Sequence, residues 1–361
     1  MAEGSAPLPD PTQVAAAGNA GLRYVSDTHP GYRRRKAGTG FVYLNLDGRP
    51  IRDRKIVERI NKLAIPPAYS DVWICADACG HLQASGRDAR GRKQYRYHPL
   101  WRATRDTGKF SRVVDFGKRL PKLRRRLGAD LRLRGLPRDK VLAIVVSVMA
   151  ETLIRIGNDE YARSNNSFGL TTLRNRHVQF PGDGAIFRFR GKSGKDHSVS
   201  LEDAKLARLL RHCQQLPGQD LFQYMDESGA PHPVDSGAVN DYLRSAMGDD
   251  VTAKDFRTWG GTIAAIDAFV RTPLPESGSE RAKLTAQAQA VKLVAAELGN
   301  TPAVCRSSYI HPAVFAGWRD GSLARMVPEA DLVYPRKRER AALAFLSNWS
   351  RPPRKPGTIR R

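Results

Sequence analysis

Acidic residues are scarce in this chain: 36 Asp and Glu stand against 60 Lys and Arg in 361 residues, for a formal charge of +24 and an isoelectric point near 10.3. Such an imbalance points to a polyanionic partner, nucleic acid first. Cysteine is scarcer still. Cys75, Cys79, Cys213 and Cys305 are too few and too scattered for a disulfide framework, which suits a reducing compartment. "CADAC" (75–79) has His81 nearby but no second ligand pair, so a zinc site gives way to two half-buried strand cysteines. No run approaches the ~20 apolar residues of a membrane-spanning helix. The N-terminal "MAEGSAPLPDPTQVAAAGNAG" has neither the basic nor the apolar region of a secretion signal.

What is present builds real cores, since 41% of residues are hydrophobic. Residues 1–20, rich in Ala, Gly and Pro, read as a disordered segment. Residues 21–105 read as short strands: "GFVYLNLDG" alternates into a turn, and "DVWICADACGHLQASGRDARGRKQYRYH" is strand, turn, strand. Residues 106–335 read as a larger, mostly helical domain. Its first stretch, 109–134, carries ten Lys and Arg among helically spaced Phe, Val and Leu, and serves equally as a hinge, a phosphate-contacting helix or a solvated basic face. "LPRDKVLAIVVSVMAETLIRIGN" predicts a buried core helix from Pro137 to Gly157, with Arg155 at its end. "HVQFPGDGAIFRFRGKSGKDHSVSL" returns to alternation and glycine turns, a small sheet within the helical part. "TAKDFRTWGGTIAAIDAFV" opens a helix on a capping box of Thr252 and Asp255, and "RAKLTAQAQAVKLVAAELGN" gives another that ends at Gly299. From Arg336 on, nine of 26 residues are basic against the single acid Glu339, a short helix followed by a basic tail. The fold class expected is α+β, a small N-terminal β-rich domain followed by a mostly α-helical domain with a small sheet. No internal repeat is seen.

"GKS" at 191–193 is the ending of a phosphate-binding loop, but the glycine required five positions earlier is Ile186, and the flanks read as strand and hairpin. A nucleotide-binding ATPase is therefore excluded. What remains at element ends is a set of polar residues: Arg155, Lys192 in the hairpin turn, Arg257 in the first turn of its helix, and Tyr309 in "SSYIHP". Two arginines, a lysine and a tyrosine suit phosphoryl transfer without a metal. Guanidinium groups hold the charge that builds on nonbridging oxygens, a phenol stabilised by cations can attack, and a lysine can protonate a leaving oxygen. Taken singly, each is equally a packing tyrosine or a surface charge.

The motifs "IPPAYSDVWIC" (65–75), "GRKQYRY" (91–97), "NDEYARSNNSFGLTTLRNRHV" (158–178), "RGKSGKDH" (190–197), "KDFRTWGGT" (254–262) and "LGNTPAVCRSSYIHP" (298–312) together resemble the DNA topoisomerase IB family, in its compact bacterial and poxvirus-like branch. They span about residues 22 to 318 in the family's order. The resemblance implies a β-rich domain and a helical catalytic domain closing on duplex DNA as a C-shaped clamp. It implies a monomer without cofactor, metal or nucleotide, in the cytoplasm at the nucleoid. The family's arginines fall on Arg155 and Arg257, its lysines on Lys192 and Lys254, its nucleophile on Tyr309. Where many members have a histidine nine residues before the tyrosine, this chain has Asn300, whose amide can donate the same hydrogen bond but cannot carry charge. His311 is an alternative donor. In "RKQYRY", Arg92, Lys93, Gln94, Tyr95 and Tyr97 are implied DNA contacts, with Tyr95 and Tyr97 on one face of a strand, and Tyr161 is a further contact. The implied reaction is transient single-strand cleavage through a 3′-phosphotyrosyl link, strand rotation and religation. A tyrosine recombinase, which usually has His-x-x-Arg where this chain has Lys254-x-x-Arg257, and a non-catalytic basic architectural protein are the rival readings.

Overall fold

The computed structural model describes residues 11–38, 40–89, 91, 93–248, 250–276 and 278–349, without the side chains of 12, 105–109 and 111. The chain divides into two compact units, Met1–Lys109 and Phe110–Arg361.

The first unit contains α1 (Pro11–Asn19), β1 (Tyr32–Ala37), β2 (Gly40–Leu44), α2 (Arg54–Lys62), β3 (Ser70–Ile74), β4 (Leu82–Arg87), β5 (Lys93–Tyr97) and the start of α3 (Pro99–Asp130). Its strands form one antiparallel sheet in the order β2-β1-β3-β4-β5. Alternation puts Val72, Ile74 and Ala84 on one face, where they pack with Ile60 of α2. Asp53 caps α2, its carboxylate accepting from Lys55 N–H at 2.8 Å. Arg34 fastens the "IPPAY" turn by donating to the carbonyls of Ile65, Pro66 and Tyr69. The sequence assigned residues 1–20 to disorder; from Pro11 on the structure corrects this. The alanines of α1 favour a helix, and their small side chains let it dock, with Ala17 fully buried beside Leu22 and Trp101. Cys79 is exposed in the turn after β3, while Cys75 is buried. His81 packs as an aromatic, stacked 4.3 Å from Tyr24.

The second unit takes the rest of α3 and continues through α4 (Arg138–Thr152), α5 (Asp159–Asn165), β6 (Val178–Gln179), β7 (Ala185–Arg190), β8 (Asp196–Leu201), α6 (Ala204–Gln214), β9 (Gln223–Met225), β10 (Pro231–Pro233) and α7 (Ser236–Met247). It closes with α8 (Ala253–Val270), α9 (Glu280–Glu297), α10 (Pro302–Ser308), α11 (Pro312–Arg319), α12 (Ser322–Met326), α13 (Glu329–Leu332) and α14 (Pro335–Trp349). Strands β6, β7 and β8 form the small antiparallel sheet expected within the helical region. The apolar run of α4 is buried on all sides, from Val141 to Met149. This helix stops five residues before Gly157. Leu153 turns left-handed (φ 53°) and closes it by donating its N–H to the Met149 carbonyl, so Arg155 lies in the extended segment beyond. The boundary placed at residue 335 also moves: α14 belongs to this unit, burying Ala342, Phe345 and Leu346. Residues 350–361 of the basic tail lie outside the described residues.

Candidate active site

Helix α8 is the scaffold of the site. Thr252 and Asp255 form the expected capping box, the carboxylate accepting from Thr252 N–H at 2.8 Å and from its hydroxyl at 2.9 Å. One turn in, Arg257 is only 6% exposed. Its fork donates to the Leu153 carbonyl, freed by the left-handed end of α4, and to the Leu298 carbonyl at the end of α9, at 2.8 Å. A single guanidinium thus ties two helix ends together, and its Nε is left buried without a hydrogen-bond partner. Burial, with Arg155 beside it, pulls Arg257 below its ordinary pKa, and the Tyr309 phenol opposes the shift.

Arg155 is held by its backbone, its carbonyl accepting from Leu170 N–H at 2.8 Å. Its guanidinium donates to Asn300 Oδ1. Asn300 is set by the end of α9: Gly299 takes φ 61°, its N–H reaches the Ala296 carbonyl, and Asn300 N–H reaches that of Ala295 at 2.9 Å. Since Oδ1 is taken by Arg155, Nδ2 faces inward, buried and without an acceptor of ordinary geometry. The Cys305 thiol nearby is a poor one.

Tyr309 ends α10, its ring centroid 5.2 Å from the Arg257 guanidinium carbon. Its N–H donates to the Cys305 carbonyl, and its own carbonyl accepts from the Thr262 hydroxyl at 3.0 Å. The same hydroxyl accepts from His311 N–H at 3.2 Å. Such proximity of backbone to α8 needs a glycine: a Cβ at Gly261 would sit 2.9 Å from Tyr309 Cβ and 3.0 Å from Leu298 Cδ1. Lys192 is exposed at the tip between β7 and β8, where Ser193 (φ 66°) and Gly194 (φ 73°) reverse the chain. Lys254 is exposed in the first turn of α8.

Arg257 thus lies against the Tyr309 ring, Arg155 holds Asn300, and the two guanidinium groups are near enough for Arg155 to lower the pKa of Arg257. Arg155, Lys192 and Arg257 also line one small cavity of about 30 Å³. A cleft of about 750 Å³ elsewhere in the unit contains none of the candidate residues, as suits a substrate laid along a surface. His311 has a structural role in α11. Its Nδ1 accepts from Ala313 N–H and caps α11, its ring packs edge-on to Phe110 at 5.4 Å, and burial pushes its pKa down to about 4. Its neighbour Pro312, at the first turn of α11, fits that capping role.

The family described as eukaryotic DNA topoisomerase I, catalytic core, matches residues 98–321. The bacterial DNA topoisomerase IB N-terminal domain matches residues 40–88. DNA topoisomerase 1B of Acanthamoeba polyphaga mimivirus is 33% identical over 285 residues, covering 78% of this chain and 85% of the viral one. The chain belongs to the DNA topoisomerase IB family. DNA topoisomerase 1B of vaccinia virus (strain Copenhagen) is 24% identical over 294 residues, 76% of this chain and 86% of its own. DNA topoisomerase 1 of rabbit fibroma virus (strain Kasza) is 22% identical over 267 residues, 70% of this chain and 78% of its own.

As a type IB topoisomerase the protein is an isomerase of DNA, and every candidate catalytic residue lies within the catalytic-core match. The β5 residues fall between the two matched segments. There Tyr95 and Tyr97 share a face as expected, stacked at 6.1 Å, with Lys93 over the Tyr95 ring and paired to Asp27 at 2.7 Å. Gln94 alternates with the tyrosines along the strand and is half-buried, its amide donating to Asp88 at 3.0 Å. Arg92 lies outside the described residues. Tyr161 is half-buried in α5, capped by Asn158. Sequence reading missed three supports of the site: Thr262, Gly261 and the carbonyls that hold Arg257. The paired glycines in "KDFRTWGGT" were the available signal; the carbonyl acceptors left none. Among the described residues no helix is long and apolar enough to cross a membrane.

Proposed function

We propose that Tyr309 is the nucleophile of a reversible transesterification that relaxes supercoiled duplex DNA. The observation that carries this is the buried Arg257, aimed by two carbonyls and set 5.2 Å from the Tyr309 ring, with its Nε still unsatisfied. Tyr309 Oη attacks a backbone phosphorus, the bond to the 5′-oxygen breaks, and the strand is left joined through a 3′-phosphotyrosyl diester. The phenolic proton is lost as phosphorus is attacked, and Lys192 gives a proton to the departing 5′-oxygen. Arg155, Arg257 and the inward Nδ2 of Asn300 hold the nonbridging oxygens as their charge grows, Asn300 in the place many relatives give to histidine. Lys254, on the same helix as Arg257, assists as an accessory cation.

One phosphodiester replaces another, so the bond's energy is conserved and the freed 5′-hydroxyl can attack back without ATP. Between the two steps the cut strand swivels about the intact one until torque is dissipated. On this reading one chain acts alone, its two units closing on the duplex as a C-shaped clamp at the nucleoid. Lys93, Tyr95, Tyr97 and Tyr161 contact the DNA, and the basic excess meets its phosphates. Substituting Tyr309→Phe tests the reading: plasmid relaxation is lost while duplex binding is retained. A Tyr309→Phe protein that relaxes DNA at the parental rate sinks the assignment.

A further inference from the structure

Next to the catalytic arginines lies an imidazole that the reaction as described does not use. His197 sits on β8 directly across from Phe189 of β7, the rings stacked at 5.2 Å and 12°. Its two edges meet the bare backbone of two glycines. A Cβ at Gly191 would lie 2.5 Å from His197 Cδ2, and a Cβ at Gly299 would lie 2.6 Å from Cε1. Gly191 immediately precedes Lys192; Gly299 stands between Leu298, whose carbonyl holds Arg257, and Asn300, which holds Arg155. The ring is therefore a spacer between the lysine hairpin and the turn that sets both arginines. His197, Phe189, Gly191 and Leu298 line the small cavity together with Arg155, Lys192 and Arg257.

The hairpin tip needs such a spacer. Within the tip, Gly191 N–H donates to the Lys195 carbonyl and Gly194 N–H to that of Gly191. Those bonds fix the local turn but not its distance from the end of α9. Lys192 itself is exposed, on a side chain with many rotamers, so its reach to a leaving oxygen is set by where the turn is held. The ring acts uncharged. Burial first, then Arg155, Arg257 and Lys195, push its pKa below the ordinary value, opposed by Asp196. Nε2 is buried and has no hydrogen-bond partner, and the ring edges abut the two glycines, so the ring acts here by the space it fills.

We propose that His197 is a positioning residue that holds the Lys192 turn at a fixed distance from the Arg257–Asn300 cluster, so that Lys192 can protonate the leaving 5′-oxygen. This rests on the role given to Lys192 above. The test compares single-turnover cleavage of an ordinary duplex with that of one whose scissile 5′-bridging oxygen is sulfur. A thiolate leaves without a proton, so the sulfur substrate bypasses the lysine. His197→Ala is expected to slow cleavage of the oxygen substrate by roughly 10- to 100-fold and to cleave the sulfur substrate at close to the parental rate. Lys192→Ala, run alongside, shows the same split, and thermal melting of each variant verifies folding. If His197→Ala does not fold, His197→Asn, which keeps part of the spacer and one polar edge, gives the same split at smaller amplitude.

Equal slowing on both substrates, or parental rates on both, overturns the inference while Lys192→Ala still shows its split. If Lys192→Ala is not rescued by sulfur, the lysine is not the acid, and both assignments fall.

Discussion

Gly261→Ala separates the geometry of the nucleophile from the stability of the fold. The added Cβ would lie 2.9 Å from Tyr309 Cβ, 3.0 Å from Leu298 Cδ1 and 3.3 Å from the Tyr309 carbonyl oxygen. Carbon pairs rest near 3.5–4.0 Å, so α8 and the tyrosine segment must part by roughly half an ångström to one ångström. The Leu298 methyl is a side-chain end that can turn aside, but Tyr309 Cβ and its carbonyl oxygen are fixed to the backbone and cannot swing clear. Overpacking of this kind costs about 1–3 kcal/mol, while Ala regains up to about 1 kcal/mol of helix propensity over Gly. The net destabilisation is therefore about 0–2 kcal/mol, a few degrees of melting temperature for a unit of this size. The chemical cost is larger, because a displacement approaching 1 Å removes about 10- to 100-fold in rate. Single-turnover cleavage of a duplex whose short downstream strand dissociates after cutting reads that loss directly. Gly128→Ala in α3 is the control: its Cβ meets nothing within 4 Å, so it gains propensity without strain and keeps the parental rate. Gly261→Ala cleaving as fast as Gly128→Ala would refute the claim that α8 sets the position of Tyr309.

Two further substitutions probe the neighbours. Asn300→Asp keeps the acceptor for Arg155 but removes the inward donor and adds negative charge beside the phosphate, so cleavage is expected to fall by about 10²–10³-fold, with Asn300→His much less impaired. Equal rates for Asn300→Asp and the parent would remove Asn300 from the transition state. His311→Asn retains an N-cap for α11 and deletes a titration. The folded pKa of His311 is about 4 against an ordinary 6.5, so between those values the unfolded chain binds the extra proton. Stability from this group is complete above 6.5 and drains away as pH falls towards 4, by roughly 3 kcal/mol at most. Urea unfolding at neutral pH and near pH 5 should show a shallower acid loss in His311→Asn; parallel losses would contradict the buried neutral imidazole.

Much of this architecture was legible from local pattern. The two-residue alternation of "KQYRY" put Tyr95 and Tyr97 on one face, and the Thr252/Asp255 box placed the start of α8 and thereby Arg257. The apolar run 141–149 marked the buried helix, but not its end. That end depends on a left-handed Leu153 whose carbonyl is held by Arg257, 104 residues away, and no local signal encodes such a contact. His311 shows the same limit: nearness in sequence to Tyr309 suggested a donor, but its packing against Phe110, 201 residues earlier, could not be read locally. In residues 11–19 composition suggested disorder, but the alanines that lower side-chain bulk are what let α1 dock on Trp101. The motif resemblance named the candidate catalytic residues. It did not show how the fork of Arg257 knits two helix ends, which needs the fold.

The central claim is that Tyr309 becomes joined to a DNA 3′ end. The most direct measurement is relaxation of a negatively supercoiled plasmid in EDTA without ATP, with an aliquot quenched in SDS, digested with protease, and the DNA-linked peptide sequenced by mass spectrometry. The account predicts full relaxation and a 3′-phosphate diester on the tyrosine of the peptide containing "SSYIHP". Relaxation abolished by EDTA, or an adduct on another residue or on a 5′ end, would contradict it.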